Sequence, residues 1–168
     1  MRKYFLAAAM LMLLSANPAA AQFDIGLGYH HMDESDLSVG AIVASAGYRV
    51  PVSDEFSVIP ELRAGLGIND DTVMGVDVEL DYLFGMAVRL QYEFTDQFYG
   101  YLSPSYAKYE FKASTSAQGI PISVSDSSNE FGIGGGLGFR VSDTVGLELG
   151  YENIDSTDVI TFGARFFF

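Results

Sequence analysis

Apolar and polar residues alternate with a period of two along most of the chain, most clearly between Val76 and Phe94. Every even position in that stretch is apolar, and the odd positions, apart from Leu83, hold Asp, Glu, Arg, Gln or small residues. Successive side chains of a strand point to opposite faces, so this pattern gives one apolar and one polar face. A helix would spread both sets around its axis, so the pattern predicts a strand.

The same alternation recurs in segments near residues 23–30, 56–67, 131–141 and 145–152, and more weakly in 38–50. In the segment 98–111 the phase changes near Pro104, which predicts a bulge. Pro60 falls in an apolar row, where its missing N–H predicts a local distortion.

Two kinds of connection separate these segments. Three short ones share a five-residue pattern, in which an apolar residue is followed by Ser or Thr, then Asp, then any residue, then a second apolar residue. They begin at Val52, Phe94 and Val141. Asp, Ser and Thr favour tight turns by bonding their own backbone. Four longer polar stretches lie near residues 31–37, 69–75, 112–129 and 153–158. Together they predict an all-β fold, an eight-stranded antiparallel up-and-down β-barrel.

The N-terminus has the three parts of a secretory signal peptide. Arg2 and Lys3 precede an uncharged stretch, residues 4–14, which is followed by small residues that include Ala19 and Ala21. The apolar part is shorter than the roughly 20 residues that a membrane-spanning helix needs. We therefore expect a signal peptide over 1–21, cleaved before Gln22, and one barrel domain over 22–168.

Composition excludes several functions. The expected mature part has 7 basic residues, which are the 9 of the whole chain less Arg2 and Lys3, against 22 acidic ones. This acidic balance argues against nucleic acid as a partner, because phosphate binding needs positive charge. The chain has no cysteine, so disulfides and thiol chemistry are excluded. We expect no cofactor and no dedicated metal site.

The polar face distinguishes a membrane barrel from a soluble β-sandwich. A sandwich would turn that face to water and carry Lys, Thr and Glu on it. Here the face is rich in glycine, with isolated charges of both signs, as in Gly132, Gly134, Gly136, Gly138 and Arg140. Such a row suits the narrow interior of an eight-stranded barrel. Short turns that alternate with longer loops are typical of outer-membrane barrels, so we expect transmembrane strands.

The mature chain resembles the small outer-membrane β-barrels of Gram-negative bacteria, of the OmpA/OmpX or porin-like type. The resemblance is carried by Gly47-Tyr48-Arg49, by Pro60-Glu61-Leu62-Arg63, by the three Ser/Thr-Asp turns and by the segment from Ile160 to Phe168. It implies location in the outer membrane, among its lipids and lipopolysaccharide. It also implies that the barrel-assembly machinery reads a C-terminal signal during insertion, matched here by Ile160, Phe162, Phe166 and Phe168.

The inward positions contain charges that form a candidate network. The alternation places nine of them there: Glu61, Arg63, Glu79, Asp81, Arg89, Glu93, Arg140, Glu148 and Arg165. They could line an ion path, or they could pair and fill the barrel as a plug. Unpaired charges in a confined interior cost several kcal/mol, whereas paired ones are tolerated, so we favour the plug.

Two other groups of residues have the composition of a chemical site. His30 and His31 precede Asp33, Glu34, Ser35 and Asp36, which are the components of a hydrolytic triad; a solvated loop explains the same composition. Acidic residues gather at the expected outer rim, and carboxylates suit divalent cations. Their spacing matches no calcium loop, and we expect loose electrostatics. The rim comprises Asp33, Glu34, Asp36, Asp70, Asp71, Asp77, Glu79, Asp155 and Asp158.

Aromatic residues are expected at the two membrane interfaces, where amphipathic rings are favoured. The expected periplasmic group is Tyr48, Tyr92, Phe94, Tyr99 and Tyr101, and the outer group is Tyr29, Tyr109 and Tyr151.

The sequence therefore predicts a monomeric, non-enzymatic barrel that contributes to envelope integrity and presents its loops for adhesion or partner binding. Two alternatives stay open: a small porin-like solute channel and, as a third, a lipid-A-modifying barrel enzyme.

Overall fold

The computed structural model describes residues 22–34, 37–73, 76–117 and 120–168. They form eight strands: β1 (Gln22–Glu34), β2 (Leu37–Pro51), β3 (Phe56–Val73), β4 (Val76–Glu93), β5 (Phe98–Ala117), β6 (Ile120–Ser142), β7 (Val145–Ile154) and β8 (Thr157–Phe167). No helix among the described residues is long and apolar enough to cross a membrane.

Each strand pairs antiparallel with the next, and β8 pairs with β1, so the sheet is a closed barrel. The closing seam runs from Asp24 opposite Phe167 to Asp33 opposite Asp158. The Phe168 amide extends it by donating to the Phe23 carbonyl at 2.9 Å. Closure removes the exposed edges that an open sheet would leave in hydrocarbon, and the predicted fold class is confirmed.

One end of the barrel, here called the turn end, carries three tight turns. In the first, Ser53 Oγ accepts the amide of Phe56 at 3.1 Å, and in the second Thr95 Oγ1 accepts the amide of Phe98 at 3.0 Å. In the third, Ser142 Oγ accepts the amide of Thr144 at 3.4 Å. The hydroxyls thus bond the backbone in the way that the repeated sequence pattern predicts.

The opposite end, here called the hairpin end, differs from the prediction of long loops. The strands continue through the polar stretches and pair almost to their tips. β5 and β6 have 20 and 23 residues and stay paired up to Ala117 and Ile120. A membrane needs only about 9 to 11 tilted residues, so this β5–β6 hairpin stands well above the belt. β7 and β8 stop at Ile154 and Thr157, so the wall is lowest there.

The outward faces form a continuous apolar belt. Side chains on five different strands are more than half exposed although they are large and apolar: Leu62, Leu102, Leu137, Leu149 and Phe162. Water would oppose such a surface, whereas the hydrocarbon of a membrane accommodates it. The belt therefore identifies the lipid-facing side of the barrel.

Of the two irregularities that the sequence predicts, the one at Pro104 is absent, and the one at Pro60 is a local loss of pairing. The register of β5 against β6 is continuous through Pro104, so the predicted phase change there is wrong. Register shifts lie elsewhere in the sheet, and the one between β4 and β5 falls on β4, between Leu80 and Tyr82. At Pro60 the ladder with β2 is interrupted while its register is kept, and Pro60 itself lies opposite Val88 of β4. Because Pro60 has no N–H, pairing with β2 is lost locally, but β3 keeps its register.

We predict that the cost of a charge on the belt depends on depth. Val88 is the middle one of the outward side chains of β4 between Tyr92 and Phe84, whereas Val141 lies next to a turn. Val88→Arg should lower the free energy of unfolding by about 2 to 4 kcal/mol and Val141→Arg by about 0 to 1 kcal/mol. Urea unfolding in lipid vesicles measures both, and equal costs would contradict this facing of β4.

Candidate functional site

The barrel interior contains a charge network in which every arginine is paired. Five arginines and five carboxylates meet there, so their charges cancel, and they come from every strand except β5. The arginines are Arg49, Arg63, Arg89, Arg140 and Arg165, and the carboxylates are Asp24, Glu61, Glu93, Glu148 and Glu152. Buried charge is tolerated when it is paired and hydrogen-bonded. Each of the ten charges is paired, and among the described side chains only Asp24 Oδ1 and Arg165 Nη1 are buried polar atoms without a hydrogen-bond partner.

Glu148 on β7 lies at the centre of this network. Its carboxylate accepts hydrogen bonds from both terminal nitrogens of Arg89, from Arg165 Nε at 2.9 Å and from the Tyr99 hydroxyl at 2.9 Å. Arg165 also reaches Glu61 Oε2 at 2.9 Å. One carboxylate therefore ties β4, β5 and β8 to β7.

Toward the hairpin end, Arg63 continues the network. Its Nε lies 2.7 Å from Glu61 Oε1 and its Nη1 lies 2.8 Å from Glu152 Oε2. Its Nη2 donates to Ser103 Oγ at 2.8 Å, and Ser105 donates to Glu152. The guanidinium thus spans the barrel from β3 to β5 and β7.

Toward the turn end, Glu93 joins two further arginines. Arg140 donates to both of its oxygens at 2.7 Å, and Arg49 Nη1 lies 3.3 Å away. Arg49 also donates to the fully buried Asp24 at 2.9 Å. Gln91 bridges this part to the centre, because it accepts from Arg89 and donates to Glu93. Bidentate pairing of Arg with a carboxylate is among the stronger charge-assisted arrangements.

Glycines on β6 and β7 make room for two tyrosines beside the arginines. Tyr99 lies directly opposite Gly138, and Tyr101 opposite Gly136. A Cβ on Gly138 would overlap the Tyr99 ring, and one on Gly136 or Gly150 would come within 2.6 Å of the Tyr101 hydroxyl. The Arg89 guanidinium lies 3.5 Å from the centroid of the Tyr101 ring. The glycine-rich face therefore complements large interior rings.

Above the charges, at the hairpin end, the interior is apolar. Ten buried residues form this layer: Met32, Val39, Ala41, Val43, Leu80, Leu83, Ala107, Tyr109, Ile154 and Val159. Cavities of about 50 and 10 Å³ border the charges below it. Paired charges and packed apolar side chains thus fill the interior in two layers.

The structure places seven of the nine predicted network residues inside, and two outside. Glu79 is exposed, and Asp81 is partly exposed and lies 2.7 Å from Lys112. The register shift between Leu80 and Tyr82 reverses the phase of β4, so that Leu80 points inward. The sequence-based placement of Glu79 and Asp81 in the interior is therefore corrected.

The aromatic set is likewise divided. Tyr29, Tyr48, Tyr92, Phe94 and Tyr151 lie on the outer surface. Tyr99 and Tyr109 are buried inside, and Tyr101 stacks on an interior arginine. The interface placement of these three is corrected, because β5 keeps one phase through Pro104 and its odd positions all point inward.

Sequence reasoning missed several interior residues: Asp24, Arg49, Gln91 and Glu152. Each occupies the polar phase of its strand, so the alternation alone would have found them. The apolar layer was also missed, since an apolar side chain in the polar phase gives no sign of facing inward.

Among the described residues, the two histidines are not arranged as a hydrolytic triad. His31 Nε2 lies 3.2 Å from Asp33 Oδ2 and 3.5 Å from Ser38 Oγ, so one nitrogen makes both contacts. A triad uses the two ring nitrogens separately. His30 borders the interior cavities near Arg63. Ser35 and Asp36 lie outside the described residues.

No group of three or more potential ligands that could hold a metal ion occurs within the described ranges. Of the acidic rim, Asp36 falls outside those ranges. The C-terminal row Ile160, Phe162, Phe166 and Phe168 points outward along β8 and the residue after it.

The family model of the outer membrane protein β-barrel domain matches residues 6–165, which is nearly the whole chain. The chain belongs to this family. It is accordingly a bacterial outer-membrane protein. No curated protein matches the chain.

Solved outer-membrane barrels share the fold at low identity. The attachment invasion locus protein Ail of Yersinia pestis is 19% identical, with a TM-score of 0.55, over 88% of this chain and 97% of that one. Neisserial surface protein A is 17% identical, with a TM-score of 0.56 and the same coverage. A major outer membrane protein of Thermus thermophilus is 13% identical, with a TM-score of 0.55, over 89% and 100%. Identities this low support the fold alone.

We predict that Glu148→Gln is strongly destabilising to the outer-membrane barrel. Glutamine keeps the shape but leaves Arg89 and Arg165 without their shared counter-charge, and breaking such a buried pair costs about 3 to 5 kcal/mol. Urea unfolding in lipid vesicles measures the loss.

Asp143→Asn, in an exposed turn, is the matched control. It should change the free energy of unfolding by no more than about 0.5 kcal/mol. Equal stability of the two variants would contradict the central position of Glu148.

Proposed function

We propose that this outer-membrane protein is a closed, non-enzymatic barrel that contributes to envelope integrity and presents its hairpin end for adhesion or partner binding. The observation that carries the proposal is the neutral charge network across the interior. Ten charges that pair with one another leave no line of unpaired charge among the described residues along the barrel axis for a solute to follow.

The two ends of the barrel differ enough to indicate its orientation in the outer membrane. Outer-membrane barrels have short periplasmic turns and longer extracellular connections. The turn end would then face the periplasm, and the tall β5–β6 hairpin would face the outside. The outward row Ile160, Phe162, Phe166 and Phe168 would be read by the barrel-assembly machinery, and the monomer would contact lipopolysaccharide around its belt.

The chemistry of the hairpin end limits the class of partner. Outside the network, the described side chains there include eight carboxylates and two lysines, Lys108 and Lys112. Both lysines have acidic neighbours, at 3.7 Å and 2.7 Å. Hydrogen bonds from Tyr151 and Asn153 lower the pKa of Asp158, which keeps that carboxylate charged. This surface favours cationic over anionic partners.

We predict that the protein is closed in planar lipid bilayers. Replacing both Glu61 and Arg165 with Ala should produce intermittent ion conductance, because it removes a central pair beside the 50 Å³ cavity. Replacing Asp81 and Lys112, a pair on the outer surface, should leave the barrel closed. Steady conductance of the wild type would favour the solute-channel alternative.

We also predict that sulfated sugars do not bind. Ail has been crystallised in complex with the heparin analogue sucrose octasulfate, and its sequence is 17% identical to this chain in that comparison. The acidic hairpin end here should repel such a polyanion. Calorimetric titration of the barrel with sucrose octasulfate at physiological salt should show no saturable heat. Micromolar binding would contradict the assigned charge of this surface.

A further inference from the structure

One edge of β6 is left open above the barrel wall. On its β7 side, pairing of β6 begins at Gly132, opposite Ile154, whereas on its β5 side pairing continues to Ile120. Within the described part of the chain, nothing pairs with residues 124–131 on the β7 side. At about 3.3 Å per residue, this open edge is about 26 Å long. It stands directly above the low β7–β8 turn.

The open edge borders a cavity at the barrel mouth, and about half of the residues that line it are apolar. The cavity has a volume of about 80 Å³ and is lined by Met32, Phe111 and Val159, with Ser128 and Glu130 of β6 beside them. It has room for one side chain of moderate size. A strand added to β6 here would direct every second side chain toward the barrel mouth, and the cavity would take one of them.

The acidic side chains decide which strand would fit. Glu130 lines the cavity, Asp155 faces it from the β7–β8 turn, and Asp126 lies four residues from Glu130 on the same face of β6. The Asp126 carboxylate accepts a hydrogen bond from the Ser127 amide at 2.9 Å, so a charged side chain lies close to the backbone of this strand. Charges of this kind discourage pairing of neutral or acidic strands. A second copy of this chain would bring its own Asp126 and Glu130 against these acids.

We propose that the open edge at 124–131 binds an extended peptide segment of a partner protein that carries Lys or Arg at alternate positions. The peptide would pair with β6 as an added strand. Its inward basic side chains would lay their apolar stems over Met32 and Phe111 and place their charges near Glu130 and Asp126. The inference rests on the proposed partner-binding role of the hairpin end and specifies the ligand.

The test uses the full barrel in nanodiscs of uncharged lipid and three labelled ten-residue peptides. One alternates Lys with Val, one replaces Lys with Glu, and one is the Lys peptide N-methylated on the residues whose amides would pair. Fluorescence anisotropy should show saturable binding of the Lys peptide and at least tenfold weaker binding of the other two. Glu130→Gln should weaken binding of the Lys peptide severalfold, whereas Asp143→Asn, at the opposite end, should not.

Disulfide trapping locates the peptide, since the chain has no native cysteine. A Lys peptide with one central Cys should cross-link to Ser127→Cys. It should not cross-link to Lys112→Cys, which lies beside Ser125 at the same height but between two paired strands. The second variant also loses a positive charge, so weaker attraction of the peptide cannot explain its lack of reaction.

Four results would overturn the inference. Undiminished binding of the N-methylated peptide would exclude strand pairing, and equal binding of the Glu peptide would exclude charge selection. Equal binding to empty nanodiscs, or self-association of the barrel through Ser127→Cys, would exclude the peptide as the occupant. Adhesion of cells with and without the protein then tests the proposed function separately.

Discussion

Neutralisation of five arginines inside a narrow barrel is the constraint on which the rest of the structure depends. An eight-stranded barrel leaves room only for its own side chains, so each guanidinium has to find a carboxylate inside the same barrel. Glu148 serves Arg89 and Arg165 at once, and Glu93 serves Arg49 and Arg140. The register of neighbouring strands has to hold these partners at bonding distance, so the network and the closed sheet support each other.

The apolar layer at the hairpin end complements the charges below it. Met32, Leu80 and Val159 separate the network from the mouth, where the acids Glu130 and Asp155 lie. Charges inside the barrel thus neutralise one another, while the acids at the mouth are available to the proposed partner. The stabilising interior and the proposed binding rim therefore occupy different levels of the same eight strands.

Alternation predicted the strands, the turns and most of the interior charges, because the side-chain period of a strand is fixed at two. It failed where that period is locally broken or wrongly judged. The extra residue on β4 turned Glu79 and Asp81 outward, and no residue type marks such a bulge. The phase change predicted at Pro104 wrongly placed Tyr99, Tyr101 and Tyr109 at the membrane interfaces. The glycines opposite Tyr99 and Tyr101 could have indicated that these rings face inward. That inference needs the pairing of β5 with β6, which the sequence of one strand alone does not reveal.

The most direct test of the central claim is a double-mutant cycle on Glu61 and Arg165, whose charged atoms lie 2.9 Å apart. The free energies of unfolding of Glu61→Gln, Arg165→Gln and the double variant are measured in lipid vesicles. A paired network predicts that the double variant loses less than the sum of the two single losses, with a coupling of about 0.5 to 3 kcal/mol. Strictly additive losses would contradict the account.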